Sequence, residues 1–198
     1  MDRKYDIIIY GATGFTGSLG AKYIEKYSDE LNWAIAGRNT AKLTELQSQL
    51  PSKPDIIIAD ANDEAALTNL TKSTKVVASY AGPFNKYSNI LVKACVVSAT
   101  HYVDITGEAI WVRDLIDNYH QECIEKKIKI IPACGYDSIP SDLGTYYTAK
   151  QINEPLKSIF AYHDMAGGIS GGTIESAFTM RDFKSKHKMG HPFLLNPK

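Results

Sequence analysis

Residues 5–17 read YDIIIYGATGFTG, and their reading decides the fold. Residues 5–10 form an apolar, β-branched run, the composition of a strand covered on both faces. Leu19, Tyr23 and Tyr27 then fall four apart, which predicts a helix over 15–27. Between strand and helix stand Gly11, Thr13, Gly14, Phe15, Thr16 and Gly17. Glycine serves three needs at such a junction. The chain turns sharply, its backbone approaches a pyrophosphate, and the helix packs tightly on the strand. The N–H groups that open the helix then face the phosphates. The spacing is GxxGxxG rather than GxGxxG, so the dinucleotide fingerprint is met approximately, and the strand–loop–helix context supports it. A tight turn without a ligand is the alternative.

Outward from this stretch, short apolar runs alternate with amphipathic ones. Further strands are expected over 33–36, 55–59, 75–79, 101–105 and 128–132. Helices are expected over 40–50, from Asp63 to about 70, and over 90–98, 110–126 and 141–152. Thr40 and Asp63 are the expected caps of the second and third helices, and Ser141 or Asp142 of the last. Strands alternating with helices imply parallel pairing with crossovers on both faces. The expected fold is α/β, a doubly wound, Rossmann-like parallel sheet of order 3-2-1-4-5-6. Residues 156–165 read as a seventh strand, 167–172 as a glycine-rich turn and 173–183 as a helix. Residues 1–150 are thus expected to be the nucleotide-binding domain, and 151–198 the beginning of a second α+β domain.

The chain has 198 residues, 44% of them apolar, with 22 basic and 22 acidic side chains. Zero net charge argues against a nucleic-acid binder, and the basic stretch 181–188 reads as a solvated face. No apolar run approaches the roughly 20 residues of a membrane span. Cys95, Cys123 and Cys134 are odd in number and form no CxxC pair, so they read as small thiols of a reducing compartment. The expected location is cytoplasmic.

An NAD site carries Asp or Glu about 20 residues beyond the loop, for the ribose 2′-OH. Here Gly37, Arg38 and Asn39 occupy that place, with no carboxylate at the strand end. Arg38 can pair with a 2′-phosphate and stack on adenine, and Lys42 adds charge one helical turn on. The cofactor read from these residues is NADP. Asp60 and Ala61 follow the third strand, where adenine is contacted; Asp60 serves equally as a turn residue. Gly82, Pro83 and Phe84 face the glycine loop across the switch point and are expected to touch the nicotinamide half. A plain Gly-Pro turn is the alternative.

Taken in order, the glycine loop, Gly37-Arg38-Asn39, Gly82-Pro83-Phe84, YVDITGE (102–108), GYDSIPSDLG (135–144) and Gly171-Gly172-Thr173 resemble the saccharopine dehydrogenase-like oxidoreductases. The resemblance is closer to the branch with trans-acting enoyl reductases than to the lysine-pathway enzymes. It implies a nicotinamide cofactor, usually NADP, on the N-terminal domain. It also implies a mixed α/β second domain that shapes the substrate site and often the dimer contact. Family chains run to about twice this length, so the second domain is expected to be incomplete here.

Chemistry is expected in the loops at 81–87, 104–108 and 134–142. Tyr136 can donate a proton and Asp137 can orient substrate or hold a donor. Asp104 can instead tie two loops together. Tyr146 and Lys150 form a YxxxK pair, a weak pattern whose helix sits in the wrong place for short-chain dehydrogenase chemistry. The histidines, His187 and His191 included, show no metal-ligand spacing, and no metal is expected. The expected function is hydride transfer to or from a C=C, C=N or C=O group of a small-molecule substrate, with a homodimer through the second domain. A non-catalytic NADP-binding sensor or scaffold is the alternative.

Overall fold

Ile8 and Ile9 are sequence neighbours buried in opposite cores. That is the period-two geometry of a strand covered on both faces. They lie in β1 (Tyr5–Tyr10), which pairs in parallel with β2 (Trp33–Gly37) on one side and β4 (Thr74–Ser79) on the other. β3 (Asp55–Ile58) extends the sheet beyond β2, while β5 (His101–Asp104) and β6 (Ile130–Ile131) extend it beyond β4. The order is β3-β2-β1-β4-β5-β6, the doubly wound α/β arrangement expected from the sequence. The structure is a computed structural model that describes residues 2–164, 166, 168, 171–183, 185, 187 and 194–196.

α1 (Phe15–Ile24) and α2 (Thr40–Ser48) cover one face, where Ala21, Leu43 and Leu46 share a core with Ile9, Trp33 and Ile35. α3 (Glu64–Ser73), α5 (Asn89–Val97) and α6 (Ala109–Lys126) cover the other, with Leu67, Leu91, Trp111 and Leu115 beside Ile8, Val77 and Tyr102. Each large apolar side chain buried in this way contributes roughly 1.5–3 kcal/mol. α4 (Phe84–Tyr87) is a single turn between β4 and α5. Among the described residues, no helix is long and apolar enough to cross a membrane.

Asp63 caps α3 as expected, its side chain accepting the Ala66 N–H at 2.9 Å. Asn39, not Thr40, caps α2: Asn39 is still extended and its Oδ1 accepts the Lys42 N–H at 3.0 Å, so Thr40 is already helical. The first helix ends at Ile24 and continues only as a 3₁₀ turn, Glu25–Tyr27. α7 (Ile139–Lys150) begins before Ser141, with Pro140 in its first turn; its N-cap position is Ser138, and no side chain caps it.

The expected seventh strand does not form among the described residues. Residues 151–164 carry neither helix nor strand, and Met165 lies outside the described residues. A strand needs a neighbour to satisfy its backbone, and an isolated one is not stable in water. Phe160 and Tyr162 are accordingly 76% and 92% exposed. The glycine-rich turn at 167–172 is described only in part, and α8 (Gly171–Asp182) takes up the expected final helix.

Candidate functional site

All six strands run the same way, so the loops leaving their carboxyl ends open at one edge of the sheet. At the opposite edge, Arg3 donates to Thr71 O, Thr74 O and Thr100 Oγ1 at 2.6, 3.0 and 2.8 Å. That clamp holds the amino ends of β4 and β5.

The three loop glycines have different tasks. Gly11 has φ +75°, in the left-handed region, and a Cβ there would stand 2.8 Å from the Ala81 backbone nitrogen. A Cβ at Gly17 would stand 2.2 Å from Gly11 O, so α1 can pack on the loop only through glycine. Gly14 is exposed, and a Cβ there would meet only Gly11 O, at 3.4 Å. The fold therefore does not need glycine at position 14, whereas a closely approaching phosphate does. Gly14 is the N-cap of α1, with no side-chain cap bond and no acid in the first turn. The N–H groups of Phe15, Thr16 and Gly17 have no intrahelical acceptor and present the positive end of the helix. Thr13 is half-buried beside them. This cradle fits a pyrophosphate.

Arg38 and Lys42 are exposed at the end of β2, beside the Asn39 cap. Burial pushes the Tyr10 phenol up to about 12; nearby Asp60 adds to the rise and nearby Arg38 opposes it. Asp60 Oδ1 accepts the Asn62 N–H at 2.9 Å, a turn contact, and Ala61 is half-buried next to it. Lys86 on α4 lies within the electrostatic reach of both Arg38 and Glu175, a cation that sequence spacing did not single out.

The loop after β4 is held from the loop after β5. The Gly82–Pro83 peptide is cis, and Phe84 packs on Trp111 with ring centroids 6.2 Å apart. The buried Glu108 carboxylate accepts the Phe84 N–H at 2.9 Å through Oε1 and the Asn85 N–H at 2.7 Å through Oε2. A carboxylate at the start of α4 thus satisfies two backbone donors at once. Sequence reasoning missed this role, because nothing local marks a contact 24 residues away.

Asp104 joins the next pair of loops, the role that sequence reasoning left open beside catalysis. Its Oδ1 accepts the Thr106 N–H at 2.9 Å and the Ala133 N–H at 3.1 Å, and its Oδ2 accepts the Tyr102 hydroxyl at 2.8 Å. Burial raises its carboxyl to about 6 against those three hydrogen bonds. Tyr136 and Asp137, on the loop between β6 and α7, are exposed at the same edge of the sheet. Asp137 lies against the loop after β5, since a Cβ at Gly107 would stand 3.4 Å from its Oδ2.

The YxxxK pair is not arranged for acid chemistry. Lys150 Nζ sits 5.5 Å from the centroid of the Tyr146 ring, a cation–π contact on an exposed helix face. His187 Nε2 lies 2.8 Å from Asp117 Oδ2, and His191 is outside the described residues.

Residues 7–131 match the family described as the saccharopine dehydrogenase NADP-binding domain. The chain belongs to this family. NADP is the cofactor of these domains, and the open glycine loop beside Arg38 suits it. A Mycobacterium tuberculosis protein provisionally named a trans-acting enoyl reductase is 33% identical over 98% of this chain and 50% of its own length. A lipid droplet localized protein of Caenorhabditis elegans is 32% identical over 85% of this chain and 42% of its own. Saccharopine dehydrogenase (L-Glu forming) of Saccharomyces cerevisiae shares the fold, with a TM-score of 0.62 and 22% identity over 74% of this chain and 31% of the enzyme. The chain spans about half the length of the curated relatives it matches. The saccharopine dehydrogenase family match runs from β1 through β6 and so takes in the glycine loop, Arg38, Gly82, Asp104 and Glu108. Tyr136 and Asp137 lie just beyond it.

Proposed function

We propose that this chain is the cofactor-holding part of an NADP-dependent oxidoreductase that moves hydride to or from a C=C, C=N or C=O group of a small molecule. The observation that carries the reading is the uncapped start of α1 behind a glycine loop, with Arg38 where an NAD site would place a carboxylate. Gly11, Thr13, Gly14, Phe15, Thr16 and Gly17 hold the pyrophosphate. Arg38, Asn39 and Lys42 hold the 2′-phosphate side, and Asp60 and Ala61 the adenine. Gly82, Pro83 and Phe84 lie on the nicotinamide side. The cofactor supplies the hydride; Tyr136 serves as proton donor to the substrate and Asp137 orients it.

Residues 1–150 form the NADP-binding domain, and 151–198 open a second domain through which two copies pair. The protein acts in the cytoplasm and takes no nucleic acid. The relatives' names support reductase chemistry, while the exposure of Tyr136 and Asp137 favours a second reading, an NADP-binding sensor or scaffold without turnover. Hydride transfer needs the substrate within about 3–3.5 Å of the cofactor and water largely excluded. NADPH binding and NADPH oxidation with a panel of enoyl and imine substrates, measured on one preparation, separate the readings. Binding with turnover supports the enzyme, binding alone supports the sensor, and no binding overturns both.

A further inference from the structure

A groove runs between α6 and β6 at the edge of the sheet remote from β3, away from the glycine loop. Its volume is about 580 Å³, within the range of small-molecule sites. Leu115, Ile116, Ile124 and Ile131 supply aliphatic walls, and no carboxylate lines it. Ile124 and Ile131 are 56% and 46% exposed, although both stand on regular elements. Lys127 caps the end of α6 in a left-handed conformation and turns the chain toward β6, so Lys127 and Lys129 both line the end of the groove where the helix finishes. Among the described residues, neither lysine pairs with a carboxylate.

A polypeptide strand fits this edge poorly. β6 is two residues long, Pro132 has no N–H, and the Lys129 N–H already donates to His101 Nδ1 at 2.9 Å. The edge offers almost no ladder for strand addition. An alkyl chain needs none, and α6 from Val112 to Lys127 runs roughly 22 Å at 1.5 Å per residue, long enough for an extended one. Apolar walls that end at two lysines, neither paired with a carboxylate among the described residues, complement one chemistry, an aliphatic chain with an anionic head.

We propose that this groove binds a medium- or long-chain fatty carboxylate, its alkyl chain along α6 and its head group at Lys127 and Lys129. The inference does not depend on the cofactor reading. The test is titration of the intact chain with dodecanoate below its micelle concentration, by calorimetry and by displacement of a dansylated fatty acid. The expected result is saturable binding of one molecule per chain. Ile124→Glu, at an exposed position, lowers affinity at least tenfold. Lys127→Glu/Lys129→Glu lowers dodecanoate affinity severalfold and leaves dodecanol binding unchanged. NADPH affinity stays unchanged in both variants. Absence of saturable binding, or equal affinity in Ile124→Glu, overturns the proposal. So does a concentration-dependent dimer, seen by sedimentation, that Ile124→Glu abolishes while dodecanoate leaves it intact; the groove would then join two copies.

Discussion

Glu108 accepts the backbone N–H of Phe84 at 2.9 Å, and this buried contact joins the loops after β4 and β5. The second oxygen takes the Asn85 N–H at 2.7 Å, so one carboxylate sets the position of the whole Gly82-Pro83-Phe84 turn. Glu108→Ala would leave both donors buried and unpaired, at a cost of about 2–4 kcal/mol. Glu108→Gln keeps one acceptor oxygen and should lose about half as much. Urea denaturation of the three proteins checks the order, and equal stabilities would remove the anchoring role.

On the proposed reading, Arg38 should set the cofactor preference. NADPH should bind more tightly than NADH, and Arg38→Ala should remove most of the difference, a charge-assisted contact of roughly 1.5–3 kcal/mol. NADH affinity should barely change. Calorimetry with both cofactors is the measurement; equal affinities in the unaltered chain would contradict the assignment.

Two glycines of the same loop should respond differently to a side chain. Gly14→Val should fold normally, because a Cβ there meets only Gly11 O at 3.4 Å, yet lose NADPH binding. Gly17→Ala should destabilise the domain itself, because its Cβ would stand 2.2 Å from Gly11 O. Thermal unfolding together with cofactor titration separates the two. Retained NADPH binding in Gly14→Val would show that the phosphates lie elsewhere.

Asp104 should give stability a pH dependence of unusual sign for a carboxylate. Its carboxyl rises from the ordinary value of 3.8 to about 6 in the folded chain, chiefly through burial. The folded state therefore holds more protons than the unfolded one between those values. The contribution of Asp104 is fully present below about pH 4 and is lost as pH rises through about 6, by at most about 3 kcal/mol. Asp104→Asn cannot titrate, so the stability difference between the two proteins should change across that window and level off above it. Denaturant midpoints from pH 4 to 7.5 measure it; a flat difference would mean that the three hydrogen bonds outweigh burial.

The sheet order and the glycine loop were legible because both rest on local patterns. The apolar run from Ile7 to Tyr10 leads straight into Gly11, and each later strand repeats a short apolar run before an amphipathic helix, so right-handed crossovers leave few alternative orders. The absence of a carboxylate at Arg38 is likewise a matter of spacing along the chain. One-residue choices were less secure: Asn39 and Thr40 are both good caps, and only the backbone leaving β2 decides between them. The pattern at 156–165 reads as a strand, yet strand formation depends on a neighbour that no local pattern reveals, and the described residues 156–164 form none. Tertiary structure alone decided the contacts of Glu108 with Phe84 and of Asp104 with Ala133, 24 and 29 residues apart. A buried carboxylate is stable only where distant backbone donors converge on it, and that convergence is a property of the folded sheet.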